Sequence, residues 1–237
     1  MIEFTTLATG SDGNAYVVRD GLHTLAIEAG LPIKALKKLY WNAGLSLALA
    51  SGVLVSHKHM DHAAATEKLV YECMPCYMSC ETHKALAFGS HPFARICEPA
   101  EWFKVGPWQV CPFPVKHDAH EAGTFGFIVV GPSGGKLAYL SDLAYSGYKI
   151  PDGCNVIAIE ANHDVAIVRK NVERGVLDPD LAARIISSHM SIDTCLALLK
   201  STDLSQCQSI HLIHGSKLNS NMPEFKSRVR AETGIVC

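Results

Sequence analysis

Six consecutive residues, His57-Lys58-His59-Met60-Asp61-His62, form an H-x-H-x-D-H cluster with four side chains of metal-ligating type. In an extended segment alternate side chains share a face, so His57 and His59 can hold one ion between them. The chain is then expected to turn into a helix. Asp61 and His62 stand at that turn and can reach a second ion nearby. Imidazole suits zinc, iron and related ions, while a carboxylate adds charge and tolerates harder metals such as manganese. The plain alternative is a solvated histidine-rich turn. It leaves unexplained why four ligand types follow directly on the apolar run Val53-Leu54-Val55.

These four residues cannot complete two metal sites, because each ion needs about three protein ligands and open positions for water and substrate. More ligands are therefore expected at later strand ends, and residues of the right type stand there. His117 follows Pro112–Val115, Asp142 follows Leu137–Ser141, and His214 follows Ile210–Ile213. His120 is the rival to His117, and Asp118 is a further pocket residue to consider. His163 and Asp164 follow the apolar run Val156–Ile159. They either line the pocket or orient a ligand from behind, or they serve a structural loop network. His23, His83, His91 and His211 read as structural or surface residues.

The elements that must position these groups are legible in outline. Ile2–Leu7, Tyr16–Val18 and Leu25–Ile27 read as strands, the last two joined at Asp20-Gly21 as a hairpin. Pro32–Ala43 has helical spacing, with Ile33, Leu36 and Leu39 on one face and Lys34, Lys37 and Lys38 away from it. Those lysines form a basic face that is either solvated or in contact with phosphates. One helix is expected from His62 to about Tyr71. Strands are expected at Cys76–Met78, Trp108–Pro112, Phe125–Val130, Leu137–Leu140, Val156–Ile159 and Ser209–Ile213. Helices are expected at Asp164–Glu173, Pro179–Ser187, Ile192–Lys200 and Pro223–Ala231. The pattern predicts an α+β (αββα) fold, two mixed sheets with helices outside, built as a single domain over residues 1–237. The ligand types fall at the carboxyl ends of strands, where side chains are exposed yet rigidly held.

The 237 residues are 48% apolar, enough for a sizeable core, and the formal net charge is −2. A large nucleic-acid footprint is not advertised, although a local basic patch would escape this measure. No secretory pattern opens the sequence, and no apolar run of about 18 residues suggests a membrane span. Nine cysteines are then expected to be reduced thiols in a cytoplasmic protein. Cys73, Cys76, Cys80 and His83 resemble zinc-ribbon spacing, but no second C-x-x-C pair follows, and buried thiols serve well as small apolar residues.

With these residues in hand, the chain resembles the metallo-β-lactamase superfamily, and within it the small YycJ (WalJ/VicX)-like branch. The H-x-H-x-D-H cluster carries the superfamily signature. The loop Ala8–Asn14, His117-Asp118-Ala119, Glu160–Val165, His189-Met190-Ser191 and His214–Lys217 fit the branch pattern. The resemblance implies a metallo-β-lactamase sandwich and a ligand division: His57, His59 and His117 on one ion, Asp61, His62 and His214 on the other, Asp142 bridging. It also implies that Glu28, where the family usually has Asp, supports the ligand loop. His189 resembles the His–x–Ser histidine that donates a proton in related tRNA-processing enzymes; a helix-capping role is its alternative. Ser188 and Ile192 replace the branch's Gly and Asn around it.

Two cations about 3.5–4 Å apart would share a water, lower its pKa toward neutrality and take up negative charge on a phosphodiester. The expected cofactors are thus two divalent ions, zinc first and manganese second. The expected catalytic residues are Asp61, His189 and His163. The leading function is a metal-dependent phosphodiesterase or nuclease, exonuclease-like, acting on nucleic acid or a nucleotide. Asp142 and His214 are too close in sequence to admit an RNA-cleaving cap domain. The alternatives are a cyclic-nucleotide or other small-molecule phosphodiesterase, a lactam, lactone or thioester hydrolase, and a non-catalytic metal-binding protein. A second copy of the chain, as a homodimer, is a further partner to consider.

Overall fold

The computed structural model describes residues 1–117, 123–144 and 149–237. Its strands hydrogen-bond into two mixed six-stranded sheets flanked by helices, ordered β1-β2-β3-β4-β5-β6 and β12-β11-β10-β9-β8-β7. This is the architecture expected from the sequence. The chain divides into two compact units, Met1–Pro114 with Ala122–Leu137, and Val115–Glu121 with Ala138–Cys237.

The first unit opens with β1 (Ile2–Ala8), β2 (Ala15–Asp20) and β3 (His23–Ile27), an antiparallel meander. Helix α1 (Ile33–Asn42) crosses to β4 (Val53–Leu54). The short helices α2 (Met60–Ala63) and α3 (Thr66–Tyr71) lead to β5 (Cys76–Met78), and α4 (Cys80–Ala85) leads to β6 (Ala94–Ile96). Strands β3 to β6 are parallel. Val17 of β2 and Ala26 of β3 enter a core shared with Leu36 and Tyr40 of α1, Val53, Leu69 and Met78. Strands β7 (Phe103–Val105), β8 (Trp108–Pro114) and β9 (Phe125–Val130) form a second antiparallel meander.

Two features depart from the expected elements. The single helix expected over His62–Tyr71 is broken, because the Ala65 amide donates to Ala29 O rather than to its own helix, while the Ala29 amide donates to His62 O. The β3 exit thereby grips both sides of the break. The three-residue strands β6 and β7 were not anticipated; they are too short, and too rich in Arg and Lys, to show alternation.

The second unit receives β10 (Lys136–Leu140) and continues with β11 (Val156–Glu160), α5 (Val165–Glu173), α6 (Pro179–Ser188), α7 (Ile192–Lys200), β12 (Ser209–Ile213) and α8 (Met222–Thr233). Strands β11 and β12 are parallel; β11 is buried along its whole length, as a strand covered on both faces requires, whereas the edge strand β12 leaves Ser209 and His211 half-buried. Helix starts follow capping chemistry. Asp164 accepts from the amides of Ala166 and Ile167, Asp178 from Asp180 and Leu181, and Ser191 from Thr194. Val168, Leu177 and Ala182 join α5 to α6. Among the described residues no helix is long and apolar enough to cross a membrane.

Candidate metal centre

In the first unit the H-x-H-x-D-H cluster leaves β4 and enters α2. His57 Nε2 lies 2.9 Å from His59 Nδ1. Two nitrogens on one tetrahedral zinc, at about 2.0–2.1 Å each, stand about 3.3 Å apart, so this pair needs little movement to share an ion. The other nitrogen of His57, Nδ1, meets Ser56 Oγ at 2.9 Å. The buried His62 ring has Nδ1 3.4 Å from Glu28 Oε1 and Nε2 3.3 Å from Asp61 Oδ2. Glu28 Oε2 also accepts from the Ser56 amide at 3.2 Å. The longer glutamate thus reaches the ligand loop that the family's aspartate was expected to support.

The loop after β1 explains how this segment is held. Asn14, fully buried, accepts from the Gly10 amide and the Tyr16 hydroxyl at 2.9 Å each, and its Nδ2 donates to Asp61 O at 3.1 Å. Its backbone amide donates to the same carbonyl at 2.8 Å. Gly30 closes the contact: a Cβ there would stand 1.7 Å from Asp61 O. Gly13, in a backbone conformation that L side chains avoid (φ +144°), packs on the Gly30 carbonyl in turn.

The second unit carries its own cluster. Glu160, at the end of β11 and fully buried, places Oε1 2.7 Å from His189 Nδ1 and 3.0 Å from His214 Nδ1. Its other oxygen accepts from the Leu143 amide at 2.8 Å. Asp142 Oδ1 lies 3.6 Å from both His189 Nδ1 and His214 Nδ1, and 3.8 Å from His117 Nε2. His117 Nδ1 points at Ser188 O, 3.2 Å away. A carbonyl only accepts, so Nδ1 holds the proton and Nε2 keeps its lone pair. His214, bonded to Glu160 through Nδ1, likewise presents Nε2. A carboxylate or carbonyl behind each imidazole is the usual support of a metal-binding histidine. Asp142, Glu160, His189 and His214 bring four ligand atoms within 4.8 Å of one another.

Electrostatics sort these groups. Burial pushes the His117 pKa down and outweighs Asp142, which favours the neutral, ligating form. Burial would also lower His189, but the Glu160 carboxylate, its hydrogen bond and Asp142 overcome this and hold the pKa above the ordinary histidine value. Burial would raise Glu160, yet His189 and the two imidazole hydrogen bonds keep it below the usual glutamate value. His163 is buried, its pKa is lowered by burial against the pull of Glu160, and among the described residues neither ring nitrogen has a hydrogen-bond partner.

Three site residues occupy left-handed backbone: Glu28 (φ 64°), Asp142 (φ 53°) and His214 (φ 55°). Each stands one or two residues beyond a strand end, after β3, β10 and β12. Such backbone costs of order 1–3 kcal/mol in a non-glycine residue and persists where surrounding bonds over-determine it. At two of the three they do: Glu28 N donates to Leu54 O at 2.8 Å, and His214 O accepts from Asn162 Nδ2 at 2.8 Å.

The structure therefore gathers His57, His59, Asp61 and His62 in one unit, and His117, Asp142, His189 and His214 in the other. Glu160 was noted in the sequence only as part of a branch motif; its place behind two histidines is new. Asn14 likewise belonged only to a motif loop. Asp118 and His120 lie outside the described residues.

These ligand-rich strand ends define a metal-dependent hydrolase of the metallo-β-lactamase fold. The chain belongs to that superfamily: the family model described as Beta-lactamase superfamily domain matches residues 27–212. Among curated proteins it is 29% identical to "Exodeoxyribonuclease YycJ" of Bacillus anthracis, over 99% of this chain and 91% of that one. It is 26% identical to "Exodeoxyribonuclease WalJ" of Streptococcus pneumoniae (strain D39), over 98% and 90%. Among solved structures, the metallo-beta-lactamase fold protein YhfI from Bacillus subtilis superposes with a TM-score of 0.73 at 15% identity, covering 99% of this chain and 94% of that one.

Proposed function

We propose that the chain is an exodeoxyribonuclease-like phosphodiesterase. The observation that carries this reading is the match, along nearly the full length of both chains, to proteins named exodeoxyribonucleases. The family model runs through both compact units, which supports one catalytic domain over residues 1–237.

In this reading His57, His59 and His117 would hold one divalent ion, zinc or manganese, Asp61, His62 and His214 would hold a second, and Asp142 would serve both. When bound, such ions activate water and take up negative charge on a phosphodiester. The remaining work falls to the chain. Asp61, fixed through its carbonyl by Asn14, presents a carboxylate to the attacking water. His189 carries a proton on Nε2 for the leaving oxygen, because Glu160 holds Nδ1 and favours the imidazolium. Glu160 is a positioning residue acting through His189 and His214. His163 is the competing donor, since neither ring nitrogen is engaged among the described residues. All nine cysteines are free thiols, which suits a cytoplasmic setting.

The test is hydrolysis of end-labelled single-stranded DNA by the metal-loaded chain, His189→Ala and His163→Ala. Stepwise shortening by the parent, slowed in His189→Ala with metal retained, is expected. A slowed His163→Ala beside a normal His189→Ala transfers the donor role to His163. Hydrolysis of cyclic nucleotides without shortening of DNA overturns the nuclease reading.

A further inference from the structure

Helix α1 carries a basic face that its own fold does not explain. Its sequence, Ile-Lys-Ala-Leu-Lys-Lys-Leu-Tyr-Trp-Asn, contains no acidic residue. At 3.6 residues per turn, Lys34, Lys37, Lys38 and Trp41 fall within about 100° of arc. All four are exposed, and Trp41 is 80% exposed. The opposite side buries Leu36 and Tyr40, so the core accounts for that side alone. A face kept only for solubility usually intersperses acidic partners at i+4, whereas Lys34 and Lys38 are like charges at that spacing, which disfavours the helix. Lys37 binds Glu72 Oε2 at 2.6 Å. Among the described residues, Lys34 and Lys38 have no acidic partner.

The position of this face connects it to the ligand loop. Gly30, three residues before α1, lies against Asp61, its amide donates to Asn14 O, and Asn14 N donates to Asp61 O. The helix therefore starts beside the H-x-H-x-D-H segment. From Lys34 to Trp41 the rise is about 10 Å. That length spans about three nucleotides at the ~3.4 Å step of a stacked strand.

We propose that the Lys34–Lys38–Trp41 face of α1 is a track for single-stranded DNA, which takes phosphates on the two lysines and stacks a base on the indole. This inference rests on the nuclease reading above. Charge selects the backbone, and the flat aromatic face serves any base, which is the composition of a sequence-tolerant single-strand surface. It also shows how a chain of net charge −2 holds a polyanion: the positive charge is local.

The experiment measures anisotropy of a labelled phosphorothioate oligothymidylate, which resists cleavage, on the metal-loaded full chain at several salt concentrations. Lys34→Ala/Lys38→Ala should flatten the log K against log salt slope by about 1.4, at about 0.7 per phosphate lost. Trp41→Ala should weaken binding about fivefold or more, and Trp41→Phe should keep most of the affinity. Lys226→Ala, on α8, should bind as the parent does. Thermal melts check that each variant folds, and the exposed positions predict that they do. Parent-like affinity and salt slope in both the lysine pair and Trp41→Ala overturn the proposal. So does a parent chain that binds phosphatidylglycerol vesicles through these residues and not the oligonucleotide. A parent that binds the oligonucleotide through this face yet shortens no DNA sinks the nuclease reading and leaves the track standing.

Discussion

Glu160 holds His189: a fully buried carboxylate oxygen stands 2.7 Å from the imidazole Nδ1. The same oxygen reaches His214, so one side chain sets the orientation of two rings. Removing the charge while keeping the shape should loosen both. Glu160→Gln is expected to lower the rate of DNA hydrolysis about 10–100-fold, the usual range for such supporting groups. Combined with His189→Ala its effect should be less than additive, since part of it acts through His189 and only the part acting through His214 remains. Single-turnover rates on end-labelled DNA check this, and an additive double variant contradicts it.

Gly30 has no room for a methyl group. A Cβ would collide with the Asp61 carbonyl at 1.7 Å and with Asn14 N at 2.7 Å. Gly30→Ala must therefore push the ligand loop away from the β1–β2 loop. It should destabilise the fold by about 1–3 kcal/mol and reduce bound metal, read by urea unfolding and by elemental analysis of the folded protein. Full metal content at parent stability would show that the two loops are not locked together.

Asp20 gives a pH signature remote from both ligand clusters. Its Oδ2 accepts from the Ser133 amide at 2.7 Å and its Oδ1 from the Met1 ammonium at 3.1 Å. Burial would raise its pKa, but the Ser133 bonds and the ammonium hold it below the usual carboxylate value. A depressed folded pKa stabilises above the unfolded value and loses that contribution as pH falls through the folded one. The stability gap between the parent and Asp20→Asn should be full at neutral pH and shrink below about pH 4. Urea midpoints across that range decide it, and a gap independent of pH contradicts the assignment.

What the sequence made legible follows from how local each signal is. The H-x-H-x-D-H run, the apolar strands β2 and β3 on either side of the Asp20-Gly21 turn and the capped helices α5 to α7 are set within a few residues, and the structure has them. The break between α2 and α3 is not local: it depends on Ala29 bonding to both sides of the gap. The left-handed turns at Glu28, Asp142 and His214 were equally hidden, because glycine is the usual signal for such backbone and none of the three is glycine. Glu160 stood in the sequence only as part of the Glu160–Val165 motif, with no role of its own. Only its burial beneath two histidines, far away in sequence, gives it a role.

The central claim is that the chain hydrolyses phosphodiesters of DNA with metal held by its histidines and aspartates. The most direct measurement takes protein stripped with a chelator, returns zinc or manganese, and follows end-labelled single-stranded DNA beside the His59→Ala variant. Progressive shortening that appears only with added metal, and is lost in the variant together with part of the bound metal, is the predicted result. DNA that stays intact at every metal load, in a protein that is folded and metal-replete, contradicts it.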